Sequence, residues 1–185
     1  MKINSNRNNK TGLPTREKNG EILREYVKDE YLIKHSYMVA KGLESYAVKY
    51  NENKDLWYIT GLLHDLDYYQ YPTRHPAKSL EWFNQWGYPE ELIHAISAHG
   101  MTEPRVKPKT NLAKVLIAVD ELTGLLYAYS LMRPTGFVGM EAKSVIKKLK
   151  DRAFAAKIDR EEIIYGINEI NVGLEEHINY LLKLY

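Results

Sequence analysis

The sequence predicts an all-α protein, a single domain of about eight or nine helices. Three observations predict this class. Apolar side chains recur every three or four residues in one segment after another, which is the spacing of an amphipathic helix. No segment alternates apolar and polar residues for long enough to form a sheet, and the chain has no internal repeat. Gly, Pro, Asn and Asp stand between the segments, where helices begin and end.

Composition limits the possible functions. The chain has 185 residues, enough for one domain with its own core, and its net charge of +2 does not favour a nucleic-acid partner. Because it has no cysteine, disulfides, thiolate zinc sites and cysteine nucleophiles are excluded. Residues 1–20 are polar rather than a signal peptide, and no apolar run reaches membrane-spanning length. We therefore expect a cytoplasmic protein with no membrane partner.

The N-terminal part of the sequence predicts a tail followed by a series of helices. Residues 1–14 are rich in Asn, Lys and Arg, which predicts a flexible basic tail, and the helical domain is expected to span 15–185. Asn51 is expected to cap the third helix, and Gly87 to end the fourth. The first helices are predicted at 15–28, 30–50, 52–65, 75–86 and 89–99.

The remaining sequence predicts a long apolar helix and a basic one. The long helix covers about 112–131 and is expected to be capped by Asn111; a basic helix at 140–150 and a helical turn at 151–157 follow. Asp159 is expected to cap one last helix, whose apolar stripe continues to Leu182. His177, on that helix, is interpreted as a surface residue. Loops are predicted at 67–74, 101–109 and 133–139.

Four polar residues interrupt apolar helices: His35, His64, Asp65 and Asp120. Taken singly, each has an ordinary structural explanation, because buried polar groups are usually hydrogen-bonded. Together they offer the imidazole nitrogens and carboxylate oxygens that a divalent ion such as Mn, Fe, Zn, Co, Ni or Mg takes. Facing helices bring such groups together in a bundle core, and this set leaves coordination positions open for water and substrate.

The order of His35, the His64-Asp65 pair and Asp120 resembles the HD-domain superfamily of metal-dependent phosphohydrolases. The similarity covers roughly residues 28–130, and Asp120 lies on a long apolar helix, as in the final motif of that family. The resemblance implies that these four residues are the ligands of one metal ion.

Two further histidines are similar to those of the HD subfamilies with two metals. His75 begins the helix after the His-Asp loop, and His99 ends the next one. The resemblance implies that they hold a second ion, with Asp65 as the bridge. His94 points about 140° away from His99 on a helix and is left out of the site. Asp67 either orients His64 or a metal-bound water, or is an ordinary carboxylate at the start of a loop.

The resemblance implies hydrolysis of a phosphate mono- or diester, with nucleotides as candidates, by water that one or two divalent ions activate. Asp65 and Asp67 are the predicted catalytic residues. Lys78 and Arg133 are candidates for binding the substrate phosphate, against the alternative that they are solvated surface cations. The expected partner is a small phosphorylated molecule, and a homodimer also remains open.

Three other functions remain open. Some HD relatives are di-iron oxygenases, and metal analysis with an oxygen-consumption assay would identify that chemistry. A non-catalytic interaction module with a structural metal would lose stability without the metal and turn over no phosphate ester. Nucleic-acid binding through the tail and the basic helix ranks last, because the net charge is close to zero.

Overall fold

The computed structural model describes residues 12–100 and 104–185. These ranges contain nine α-helices, one short 3-10 turn and no β-strand, which confirms the all-α class. Most of the predicted tail, residues 1–11, and residues 101–103 of a predicted loop lie outside them. The helices are α1 (Arg16–Tyr26), α2 (Glu30–Tyr50), α3 (Lys54–Leu63), α4 (Ala77–Trp86), α5 (Glu90–His99), α6 (Asn111–Leu131), α7 (Ala142–Lys150), α8 (Arg160–Ile170) and α9 (Leu174–Leu182), with the 3-10 turn at Pro72–Arg74.

The helices belong to two compact units. The first ends at Ala113 and contains α1–α5, and the second runs from Lys114 to Tyr185 and contains most of α6 together with α7–α9. A single domain over 15–185 stays a prediction, and each unit is described by itself.

Side-chain caps fix the starts of α2 and α3 in the first unit. Asp29 caps α2 by accepting hydrogen bonds from two backbone amides of its first turn. The prediction that Asn51 caps α3 was wrong: Asn51 ends α2 in a left-handed conformation, with φ at 57°. Asn53 is the cap of α3 instead. Asparagine suits both positions, because it tolerates the left-handed region and its side chain also accepts from helix amides.

Helices α2 and α3 cross at very close range. A Cβ atom on Gly61 would lie 2.8 Å from the Cα and the backbone nitrogen of Ala40, so only glycine fits this crossing. Leu43 and Leu62 are fully buried on the two helices. The crossing places the C-terminal end of α3 against the core of the unit, and the His-Asp pair follows directly.

The structure confirms the predicted end of α4 and the predicted start of α5. Gly87 ends α4 with a left-handed φ of 67°, as predicted, and α5 follows Pro89. Tyr88, the residue after Gly87, is joined to α1 by a buried hydrogen bond: its hydroxyl donates to Asn19 Oδ1 at 2.5 Å.

Three predictions in the second half of the chain were wrong. The cap of α6 is Thr110, whose hydroxyl accepts from the Ala113 amide at 3.2 Å, and Asn111 is already helical. Residues 151–157 form turns rather than helix. The predicted last helix is two helices, because Asn171 ends α8 with a φ of 51° and α9 starts afresh after Gly173.

The second unit also has a close helix crossing and a buried histidine. A Cβ on Gly166 would lie 2.5 Å from Ala118 Cα, so α8 crosses α6 at a glycine. His177 is completely buried and its Nε2–H donates to the Ala118 carbonyl at 2.8 Å. The prediction of a surface position for His177 was therefore wrong. This ring fastens α9 to the backbone of α6.

Among the helices of the described ranges, none combines the length and apolar character needed to cross a bilayer.

Candidate metal centre

Four chemically suitable side chains of the first unit lie at helix ends. His64 and Asp65 directly follow α3, His75 lies two residues before α4, and His99 is the last residue of α5. His64 and His99 are buried, and Asp65 and His75 are partly exposed. Residues at helix ends can converge from different directions while the helices hold their backbones rigid.

Glycine allows two of these helix ends to approach each other. A Cβ on Gly100 would lie 2.6 Å from Cδ of Pro76, so the residues following His99 and His75 are in direct contact. The ring centroids of the two histidines are 5.0 Å apart. Sequence reasoning missed this contact, although a glycine directly after a helix-terminal histidine was visible in the sequence.

Each of the three imidazoles is anchored through Nδ1. Each partner is an oxygen that can only accept, either a backbone carbonyl or an ionised carboxylate, so the proton lies on Nδ1. When the ring is neutral, Nε2 therefore has a lone pair. The pairs are His64 Nδ1 with the Gly61 carbonyl at 2.8 Å, His99 Nδ1 with the Ile96 carbonyl at 2.6 Å and His75 Nδ1 with Asp67 Oδ1 at 2.7 Å. Metal-binding histidines are typically held in this way by a carbonyl or a carboxylate.

The Nε2 atoms converge on the carboxylate of Asp65. Those of His64 and His75 lie 3.4 Å from its two oxygens, and that of His99 lies 3.6 Å away. Ligand atoms of His64, Asp65 and His99 lie within 4.8 Å of one another, a spacing that a single ion can bridge. Three nitrogens and the two oxygens of one carboxylate thus lie in one region.

The charges of the site favour an ionised carboxylate. Burial by itself would raise the pKa of Asp65, but the charges and hydrogen bonds of the surrounding histidines, His64 foremost, hold that pKa well below its usual range. Burial lowers the pKa of His75, but the hydrogen bond to Asp67 and the charge of Asp65 outweigh it, so that pKa is raised. Asp65 is therefore negative at neutral pH, and its charge attracts a cation to the site.

The contact between two rings tests whether a metal ion suits this arrangement. The Nε2 atoms of His75 and His99 are 3.2 Å apart. Because both rings are protonated at Nδ1, two neutral rings would bring two lone pairs together, which is favourable only if a proton or another cation lies between them. The absence of cysteine from the chain and the mixture of imidazole and carboxylate fit a divalent ion of intermediate softness.

A comparison with protein-family models identifies the family of the chain. The model of the HD domain matches residues 32–125, about half of the chain. The chain belongs to the HD domain family. No curated protein and no solved structure matches it.

All six predicted ligands of the HD domain fall within the matched range. His35, on α2, is almost completely buried, and its ring centroid is 5.3 Å from that of His64. Asp120 lies in the middle of α6, in the second unit. The roles of His35 and Asp120 as ligands stay predictions of the family resemblance.

Asp67 contacts a different histidine from the one expected. Its side chain is completely buried, one oxygen accepts from His75 Nδ1–H and the other accepts from the Ser79 amide at 2.9 Å. The sequence had associated this residue with His64 or a metal-bound water. No spacing rule reveals the contact with His75, because it depends on the conformation of the intervening loop.

The two cations predicted to bind phosphate already have partners. Lys78 Nζ lies 2.6 Å from a carboxylate oxygen of Glu81, on the same helix. Arg133 donates to the carbonyls of Gly136 and Val138 at 2.9 and 2.8 Å, which closes its own loop in the second unit. Their roles in substrate binding stay predictions.

His94 also has a partner outside the convergent group. Its Nε2 accepts a hydrogen bond from the Lys109 amide at 3.0 Å. This contact gives the ring a structural role in holding the segment that leads to α6.

Proposed function

We propose that this HD domain protein is a metal-dependent phosphohydrolase that cleaves a phosphate mono- or diester, with nucleotides among the candidate substrates. One observation carries the proposal: three imidazoles, each anchored at Nδ1, direct Nε2 toward the same carboxylate. Members of this family are in general metal-dependent hydrolases.

The geometry supports His64, Asp65, His75 and His99 as ligands of one or two divalent ions, and the family resemblance adds His35 and Asp120. A bound divalent ion supplies Lewis acidity at phosphoryl oxygens and a water whose pKa is lowered toward about 7. Mn, Fe, Zn, Co, Ni and Mg all accept this ligand set.

The residues of the chain prepare the site before substrate arrives. The anchored imidazoles cannot rotate without breaking a hydrogen bond to Gly61, Ile96 or Asp67, so their orientation is fixed in advance. Asp65 stays ionised because its pKa is low, and it can neutralise part of the positive charge of the site.

Lys78 is the proposed contact for the substrate phosphate, because it lies in the first turn of α4, three residues after His75. Its ammonium now pairs with Glu81, a contact near the surface that a phosphate could replace. Arg133 is the weaker candidate, because its guanidinium is committed to two backbone carbonyls.

Metal analysis followed by a substrate screen tests the proposal. Purified protein is analysed for bound metals and then assayed on nucleotides and sugar phosphates with added Mn, Co, Ni or Mg, with oxygen consumption measured in parallel. We expect metal-dependent release of phosphate. Oxygen consumption by iron-loaded protein without any phosphate release would instead identify an oxygenase.

A matched pair of variants connects the activity to the site. Asp65→Asn keeps the shape of the side chain but removes its charge, so we expect kcat/KM to fall by more than about 100-fold, beyond the usual effect of losing a group that only supports a ligand. His94→Ala removes a histidine outside the convergent group and should retain activity. Unchanged hydrolysis by Asp65→Asn would contradict the proposal.

A further inference from the structure

Asp67 uses both oxygens of a completely buried carboxylate. Oδ1 accepts from His75 Nδ1–H at 2.7 Å, and Oδ2 accepts from the Ser79 amide at 2.9 Å. The Ser79 amide belongs to the first turn of α4, where backbone N–H groups have no partner within the helix. The preceding residue Pro76 provides no side-chain cap, so Asp67 caps this helix from a separate loop.

One carboxylate therefore links a histidine to the helix that follows it. His75 lies just before α4, and the same side chain that caps α4 also holds the ring of His75. A negative charge is favourable at the positive end of a helix, which fixes the carboxylate in place. Because an ionised carboxylate can only accept, the proton of the neutral ring is held on Nδ1.

We propose that Asp67 is a positioning residue that keeps His75 in the Nδ1–H form and ties its ring to the start of α4, so that Nε2 remains directed at Asp65. The inference rests on the metal role proposed above for His75. It differs from the sequence expectation, which connected Asp67 with His64 or with a water.

Asparagine cannot reproduce both contacts. An amide has one accepting oxygen, so in Asp67→Asn the NH₂ group must face either the Ser79 amide or His75 Nδ1. The first arrangement opposes two donors at the helix start. The second forces the imidazole proton onto Nε2, the atom that faces Asp65 at 3.4 Å.

The tautomer of His75 is measurable without any metal or substrate. Long-range ¹H–¹⁵N NMR of histidine-labelled, metal-free protein in alkaline buffer distinguishes the two neutral forms, and His75→Gln identifies the signal. We expect the Nδ1–H form in the wild type and a shift of population toward Nε2–H in Asp67→Asn. An Nε2–H form in the wild-type protein would overturn the proposal, even if the variant does not fold.

Metal titration provides the second measurement. In Asp67→Asn we expect the site that contains His75 to bind Mn²⁺ about 10- to 100-fold more weakly. This is the typical effect of losing a group that supports a metal ligand. Ser79→Ala is the matched control: it removes the hydroxyl, which donates to the Pro76 carbonyl, but keeps the amide that Asp67 caps. This control should bind metal as the wild type does.

The two measurements separate the possible failures. If the wild type binds no metal, the proposed function fails, while the tautomer experiment still decides the role of Asp67. If metal binds with the same affinity in the wild type and Asp67→Asn, and the tautomer is unchanged, the positioning role is wrong and the hydrolase proposal stands.

Discussion

The two units of the chain use buried histidines in opposite ways. In the first unit, His64 and His99 donate Nδ1–H to a backbone carbonyl and direct Nε2 toward Asp65. In the second unit, His177 is equally buried, but its Nε2–H donates to the Ala118 carbonyl. In His177 the nitrogen equivalent to the one that faces Asp65 in the first unit is thus used by a hydrogen bond to the backbone. Burial alone therefore does not distinguish a candidate ligand from a structural histidine, and the use of Nε2 does.

The backbone architecture around these histidines is similar in the two units. Each has a helix crossing at which glycine meets an alanine backbone, Gly61 with Ala40 and Gly166 with Ala118. In the first unit, the helix that carries the glycine ends in a His-Asp pair three residues later. A close crossing thus provides a rigid frame, and the chemistry depends on the residues at the helix end.

Exchanging each type of histidine for alanine should separate metal binding from stability. We expect His177→Ala to lower the free energy of unfolding by about 2–4 kcal/mol, because it leaves a cavity and removes a buried hydrogen bond. His99→Ala should lower metal affinity by more than about 100-fold, because it removes a proposed ligand rather than a group that supports one. Urea unfolding and metal titration of both variants provide the comparison.

The opposite pattern would contradict this division of roles. If His177→Ala lost its metal while retaining its stability, or if His99→Ala bound metal as the wild type does, the position of Nε2 would not be a valid criterion. His94→Ala is the control for the metal titration, because its ring lies outside the convergent group.

One added methyl group tests the close crossing of α2 and α3 at Gly61. In Gly61→Ala the new methyl group would meet the backbone of Ala40 at 2.8 Å, which cannot move aside as a flexible side chain would. We expect a loss of about 1–3 kcal/mol in stability from overpacking, more than the helix preference of alanine returns. Metal affinity should fall as well, because the Gly61 carbonyl holds His64.

A second glycine provides the matched control. Gly173 has a φ of −66°, and a Cβ there would have its nearest neighbour at 3.9 Å, so alanine fits without strain. Gly173 is the N-cap of α9, where alanine is a poorer cap than glycine but restricts the unfolded chain more, so Gly173→Ala should change stability by less than about 1 kcal/mol. A Gly61→Ala variant as stable as this control would show that the two helices can separate without cost.

The periodicity of the sequence predicted most of the helices but not all of the residues at which they begin and end. The apolar spacing predicted α2 and α5, and Gly87 marked the end of α4 correctly. The apolar spacing did not reveal the break between α8 and α9 at Asn171, because the apolar stripe resumes in α9 after only a few residues. Asparagine also serves both at helix starts and in left-handed helix ends, so its type alone could not assign Asn51.

The candidate site was predictable only as a set of residues. His64 and Asp65 stood out as polar residues in an apolar segment, the family resemblance added His75 and His99, and the structure brings these four together. Which ring nitrogen faces the carboxylate depends on hydrogen bonds within single turns. The partner of Asp67 depends on the path of a loop, which periodicity does not describe.

The smallest expected effect on stability is that of replacing His94, in which Nε2 has a third role. This atom accepts from the Lys109 amide, which requires an unprotonated nitrogen. Burial lowers the pKa of His94, and the charge of Lys109 lowers it further. Because the folded-state pKa lies below the ordinary value of about 6.5, the contribution of His94 to stability is present above that pH and is lost as the pH falls.

The pH dependence of unfolding therefore has a specific signature. In metal-free protein we expect the wild type to lose more stability than His94→Ala loses as the pH falls below about 6.5, the ordinary pKa of histidine. Lys109→Met keeps the donating amide but removes the ammonium charge, so it should bring the pKa of His94 closer to its ordinary value and reduce the difference. Parallel pH profiles for the wild type and His94→Ala would show that the contact with Lys109 does not depend on the protonation of this ring.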